Sequence, residues 1–199
     1  MSDPPTRLER LAPSHPAQPD PPQPDPRDVR AVGLQLGRPP RAMTSVAHRC
    51  ACGLPDVVET RPRLADGSPV PTLYYLTCPR LASAIGTLES SGLMKEQTAR
   101  LAADPDLAAR YRAAAEDYVA RRDRHEVLEG VPAQGGMPAR VKCLHVLVAH
   151  SLAVGPGVNP FGDEALARIP EWGGSGACVD PDDPLAVPAK RRPRSRSGS

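Results

Sequence analysis

The stretch Arg140-Val141-Lys142-Cys143-Leu144-His145-Val146-Leu147-Val148-Ala149-His150 is the most apolar in the chain and constrains its fold more than any other. Gly135-Gly136-Met137-Pro138 precedes it and Gly155-Pro156-Gly157 follows, so start and stop signals frame one helix. Val141, Leu144, Val148 and Leu152 recur at helical spacing, while Val146, Leu147 and Ala149 carry the apolar surface almost all round. A helix of that kind has to lie inside a core. It also bears one cysteine and two histidines, which makes it the first place to look for chemistry.

Bulk properties remove several function classes. A chain of 199 residues allows one domain with tails. Net charge is only +2, and the basic excess is confined to Lys190 through Arg196, read as a solvated tail. Aromatics make up 3% of the residues, too few to stack bases along a single strand, so a nucleic-acid partner is not expected. The longest apolar run falls short of the ~18 to 20 residues of a membrane span. Prolines and charges occupy the N-terminus where a signal peptide would need an apolar run. A cytoplasmic protein is expected, and its five cysteines then read as thiols or metal ligands instead of a disulfide framework.

In chain order, residues 1–26 form a Pro-rich head that cannot bury enough surface to offset its ordering entropy, and disorder is expected there. Asp28 to Leu36 suits a short helix capped by Asp28 and ended by Gly37. Three strands are expected at Met43 to Arg49, Val57 to Thr60 and Thr72 to Thr77, with turns at Cys52-Gly53-Leu54-Pro55 and Asp66-Gly67-Ser68-Pro69. Helices should follow from Pro79, from Leu93 to Ala103, and from Pro105 to about His125 with Asp104 as cap. The central helix comes next, running to Val154, then a tight turn at Asn159-Pro160-Phe161-Gly162-Asp163 and a short helix from Glu164 to Ile169. Residues 180–199, acidic and then Arg/Ser-rich, read as a second disordered tail. The fold class is therefore α+β: a small three-stranded antiparallel sheet covered by four or five helices.

Seven residues carry possible chemistry: His48, Cys50, Cys52, Cys78, Cys143, His145 and His150. On a helix starting at Arg140, Cys143 and His150 stand ~10.5 Å apart along the axis, too far for one ion bound at ~2.0 to 2.3 Å. Cys143 and His145 point to roughly opposite sides, and His145 and His150 diverge as well. Such a helix offers one ligand per ion. In Cys50-Ala51-Cys52 an extended backbone puts both thiols on one side; with Cys78 and either Cys143 or His145 they would complete a tetrahedral zinc or iron site. The competing reading is a pair of buried core thiols. Cys78 has a separate argument. It stands between a strand and a helix whose first residue is Pro79, where free amides and the helix dipole favour a thiolate. With His145 or His150 it would form a nucleophile–base pair; otherwise it is a poor cap buried in the core. Each histidine has an ordinary reading too, satisfied by a carbonyl or carboxylate in the core. Arg140 and Lys142, at the expected helix start, suit an anion or plain solvation.

Four ordered motifs, His48-Arg49-Cys50-Ala51-Cys52-Gly53-Leu54-Pro55, Pro71 through Pro79, Val141-Lys142-Cys143-Leu144-His145 with Ala149-His150, and Asn159-Pro160, resemble a bacterial family catalogued as domain of unknown function 501. The resemblance spans about residues 28–179, a single domain. It implies no activity. It implies a genetic neighbourhood with a septum-formation initiator and an exopolyphosphatase, and relatives with one cysteine in place of Cys50 and Cys52, which shifts weight to Cys78, Cys143, His145 and His150. Three functions from different classes follow. A small binding or adaptor protein with a Cys/His-lined pocket, with or without a structural metal, ranks ahead of a structural partner in a cell-division or envelope assembly. A thiol-dependent enzyme using Cys78 with a central-helix histidine ranks last, so the balance leans away from catalysis.

Overall fold

The first helix, α1 (Pro26–Leu36), starts two residues before Asp28, because Asp25 caps it: its carboxylate accepts the Arg27 amide at 2.8 Å and Pro26 occupies the first turn. Asp28 does something else. It is buried and receives the Arg49 guanidinium at 2.6 Å, tying α1 to the first strand. The computed structural model describes residues 23–186. Most of the Pro-rich head and the whole Lys190 to Arg196 tail lie outside that range.

Strands β1 (Met43–Arg49), β2 (Pro55–Thr60) and β3 (Tyr74–Leu76) pair antiparallel in the order β1-β2-β3, the expected meander. The β1–β2 turn closes through Cys50 and Leu54, with the Cys50 amide on the Leu54 carbonyl at 3.0 Å, and Gly53 supplies the left-handed φ of 82° that the turn demands. Asp56, Val57 and Val58 are consecutive and all buried. Since neighbours on a strand face opposite ways, β2 is covered on both faces, and α1 and the core helix both pack against it.

Helices α2 (Pro79–Ser90), α3 (Leu93–Ala103), α4 (Pro105–Asp123), α5 (Leu144–Val154) and α6 (Pro160–Ala167) follow, so among the described residues six helices accompany the sheet where four or five were expected. The α4 start is as expected, Asp104 accepting the Leu107 amide at 2.9 Å. Tyr118 of α4 is fully buried, and its hydroxyl accepts the Leu73 amide at 2.7 Å, fixing α4 to the entry of β3. Arg122 is also buried, its guanidinium closed by the Val131 and Pro132 carbonyls and by Asp123. The turn expected at Asn159 to Asp163 is instead the first turn of α6. Asn159 caps it through the Gly162 amide at 3.1 Å and Pro160 is its first residue. Helix α5 runs through the middle, with Leu144, Leu147, Val148, Ala149, His150 and Ser151 buried.

The chain then returns across the sheet. Trp172 donates to Asp56 at 3.1 Å, Arg80 holds the Gly176 and Ala177 carbonyls, and Arg27 and Arg30 hold Asp182 and the Pro181 and Asp183 carbonyls. Residues 180–186, which composition assigned to the tail, therefore lie along α1. Among the described residues no helix is long and apolar enough to cross a membrane.

Candidate metal centre

The core helix begins at Leu144, three residues later than Val141, and the site depends on that difference. The Gly135 carbonyl accepts the amides of Lys142 at 2.7 Å and Cys143 at 3.3 Å, and the Gly136 carbonyl accepts that of Arg140 at 3.0 Å. Thr98 of α3 takes the Val141 amide at 3.0 Å. These bonds bring residues 140–143, which lie outside the helix, closely across the glycine turn. A Cβ on Gly136 would meet the Arg140 carbonyl oxygen at 2.6 Å and Lys142 Cβ at 2.8 Å, and its φ is 92°, so only glycine fits. Cys143, with φ −151° and ψ 109°, is the residue before the helix and not part of it.

The helical argument that sends Cys143 and His145 to opposite sides therefore does not apply. Their side chains converge, and Glu89 from the last turn of α2 meets them. The Glu89 carboxylate accepts the Leu144 amide at 2.7 Å, capping α5 from another element. The same oxygen, Oε1, lies 3.1 Å from His145 Nδ1. His145 Nε2 faces the Ala82 carbonyl at 3.2 Å, one turn into α2. One donor atom each from Glu89, Cys143 and His145 all lie within 4.8 Å of one another. The site is reachable: about a third of the His145 side chain and a quarter of that of Glu89 is exposed. Without an ion, both ring nitrogens of His145 face acceptors. The Cys143 sulfur, and then Glu89, outweigh partial burial and push the imidazole up to about 9.

The other sequence candidates fall into separate groups. Cys50 and Cys52 share the β1–β2 turn, where Cys50 Sγ accepts the Cys52 amide at 3.2 Å. Burial first, then contact with Cys52, pushes the Cys50 thiol up to about 11. Cys78 is the residue before α2, as its sequence position implied, but its neighbour is Cys178. The hydrogen bond to Cys178 and burial keep the proton on Cys78, so the expected thiolate moves to its partner: Cys178 is drawn down to about 6. No single cluster unites Cys50, Cys52, Cys78, Cys143 and His145. Nor does either histidine of α5 face Cys78.

His150 is the ordinary core histidine. It is fully buried, stacked on Tyr74 and edge-on to Tyr118. Asn159 donates to its Nδ1 at 3.3 Å, and its Nε2–H reaches Asp117 at 2.9 Å. Burial holds its pKa below the usual value. His48 likewise bonds a buried carboxylate, Asp56, at 2.7 Å. Arg140 and Lys142 precede the helix and are exposed. Among the described residues, Glu89, Cys143 and His145 are the one set of three potential ligands that comes together.

A family model described as "Protein of unknown function (DUF501)" matches residues 46–167, well over half of the chain. The chain belongs to the DUF501 family. The DUF501 match runs from β1 to the last residue of α6 and includes Glu89, Cys143 and His145, while Cys178 lies outside it. No curated protein and no solved structure matches the chain.

Two residues of interest were missed from sequence, Glu89 and Cys178. Glu89 did leave a signal. An acid in the last turn of a helix opposes the helix dipole, so its presence there asks for a compensating partner. Cys178 left none beyond being the fifth cysteine.

Proposed function

We propose that this DUF501 protein is a metal-binding protein whose ion, zinc by its donor set, is held by Glu89, Cys143 and His145 with a fourth position open to solvent. The observation that carries this reading is the way His145 is used. Histidine ligands typically spend one ring N–H on a carbonyl, which fixes the tautomer and aims the other nitrogen at the ion. Here Nε2 faces the Ala82 carbonyl and Nδ1 faces Glu89 Oε1, and one donor atom each of Glu89, Cys143 and His145 lies within 4.8 Å of the others. Two ligands ~2.0 to 2.1 Å from a tetrahedral ion lie ~3.3 Å apart, and the 3.1 Å between Nδ1 and Oε1 is close to that. The Leu144 amide then steadies the ligating carboxylate. Three protein ligands with an open position is the count of a zinc ion that exchanges or activates a small ligand, whereas structural zinc is closed by four. All five cysteines stand as thiols, which fits a reducing compartment, the bacterial cytoplasm.

A second reading has its own observation. With no ion, the imidazolium of His145 between a thiol and two oxygen acceptors is the arrangement of an activated cysteine, Cys143 serving as nucleophile.

The deciding experiment is elemental analysis of untagged protein, followed by cobalt(II) titration of the stripped form. The metal reading expects about one zinc per chain and a thiolate-to-cobalt charge-transfer band that Cys143→Ser abolishes. Glu89→Gln should weaken binding by at least ~10-fold. Absence of metal and of the band would overturn it, and fast, selective alkylation of Cys143 would then establish the thiol reading.

A further inference from the structure

At the opposite end of α2 from Glu89, a second pair of reactive groups stands apart from the candidate metal centre. Cys78 precedes α2, buried in the core, and Cys178 from the returning C-terminal segment packs against that core beside it. Four contacts hold that segment in place. Arg80, in the first turn of α2, reaches the Gly176 carbonyl at 2.6 Å, the Ala177 carbonyl at 3.2 Å and Ser175 Oγ at 3.2 Å. Gln35 of α1, oriented by the Pro55 carbonyl at 2.8 Å, donates to Cys178 Sγ at 3.4 Å. Cys178 is only partly buried and lines a cleft of about 420 Å³ together with Arg27, Cys52, Leu54 and Asp180. One sulfur is thus open to solution and supplied with donors, and the other waits behind it, buried.

We propose that Cys178 and Cys78 form a redox-active dithiol, Cys178 attacking a low-molecular-weight disulfide in the cleft and Cys78 resolving the product. In the first step the Cys178 thiolate attacks one sulfur of R–S–S–R. A Cys178–S–S–R bond forms, the original S–S bond breaks, and R–S⁻ leaves with the electron pair. In the second, Cys78 gives its proton to the released thiolate and attacks the Cys178 sulfur, forming the Cys78–Cys178 disulfide and expelling the second R–S⁻. Two protein thiols are oxidised and one small disulfide is reduced to two thiols. No further oxidant enters. The product replaces the Arg80 clamp by a covalent link between residue 178 and the start of α2.

The hydrogen bonds from Cys78 and Gln35 draw the Cys178 thiol down to about 6 from an ordinary 9.0. A lower pKa raises the thiolate fraction but lowers nucleophilicity, with a Brønsted slope of ~0.4 to 0.5. The two effects leave Cys178 only about 4-fold faster than an ordinary thiol at pH 7, but about 30-fold faster at pH 5.5. The experiment follows from that contrast. Full-length reduced protein is treated with bis(2-hydroxyethyl) disulfide at pH 5.5 and at pH 7, and intact mass and peptide maps are recorded over time. The expected result is loss of two hydrogens and a Cys78–Cys178 cross-linked peptide, with selectivity greater at the lower pH. Cys78→Ser should stop at the mixed disulfide on Cys178, and Cys178→Ser should lose the fast phase. Wild-type mapping carries the test even if a variant folds poorly. First modification at another cysteine, or a stable mixed disulfide on wild-type Cys178, would overturn the proposal.

Discussion

Gly162 sets local helix preference against packing, and the structure decides which wins. It lies in the first turn of α6, where alanine would gain up to ~1 kcal/mol of helix propensity. An added Cβ, however, would overlap the Leu147 carbonyl oxygen and Ser151 Oγ, and would sit 2.8 Å from the Leu147 carbonyl carbon, against ~3.5 to 4.0 Å for a normal contact. Helix α6 must then retreat from α5 by about 1 Å, a gap that forfeits a quarter to a half of each contact across it. The residues that lose are Phe161 and Ala165, both fully buried. Removing a buried Phe outright costs ~3 to 5 kcal/mol, so a partial loss is ~1 to 2. The hydrogen bonds that join the two helices, Asn159 to His150 and Ser151 to the Asn159 carbonyl, add up to ~1 kcal/mol each. Gly162→Ala should therefore destabilise by about 1 to 3 kcal/mol net, lowering Tm by ~2 to 4 °C per kcal/mol. Gly86 is the control. It sits in α2 with nothing within 4 Å of an added Cβ, so Gly86→Ala should stabilise by ~0.5 to 1 kcal/mol. Thermal and urea unfolding followed by circular dichroism, with chelator present, measures both. Equal or greater stability for Gly162→Ala would refute the close approach of α5 and α6.

Asn159→Ala should cost about 2 to 4 kcal/mol in the same assay, because it removes the α6 cap and leaves His150 Nδ1 buried without a donor. An unchanged urea midpoint would remove Asn159 from the network. The dithiol and the metal centre should be weakly coupled: the Ala82 amide bonds the Cys78 carbonyl at 2.9 Å while the Ala82 carbonyl takes His145 Nε2. One hydrogen bond of ~1 kcal/mol bounds that route, so oxidising the Cys78–Cys178 pair should change cobalt affinity by no more than about 5- to 10-fold. A larger change would mean that α2 moves as a whole.

Most of the fold was legible because its signals are local. Asp104-Pro105 marks the start of α4 with a cap and a first-turn proline, and α4 starts there. The same logic applied to Asn159-Pro160 would have started α6 at Pro160 instead of Glu164, yet Gly162 and Asp163 behind it spelled a turn more strongly than a helix. The β1 and β2 runs were legible from β-branched residues and the Gly53 turn. The path of residues 180–186 was not, since it rests on Arg27 and Arg30, whose partners lie some 150 residues away in sequence.

The candidate site illustrates how far periodicity reaches. Val141, Leu144 and Val148 keep helical spacing, and Val141 is buried, so the apolar pattern is the same whether or not residues 141–143 are helical. What separates the two cases is the backbone of Cys143, extended at φ −151° and ψ 109°, while the amides of Val141, Lys142 and Cys143 bond Thr98 and the Gly135 carbonyl. That path depends on a glycine turn with no room for a side chain at Gly136, and the doublet itself was visible. Reading it as a boundary was right; starting the helix at Val141 was not. Three residues of error reverse the chemistry, because a cysteine two positions before a histidine diverges from it inside a helix and can meet it when it stands just outside. Cys143 and His145 were thus both candidates from sequence, but as alternatives and not as a pair, and Glu89 meets them from a helix that ends more than fifty residues earlier. A cysteine at a helix boundary should accordingly be tested in both conformations before any spacing argument excludes it.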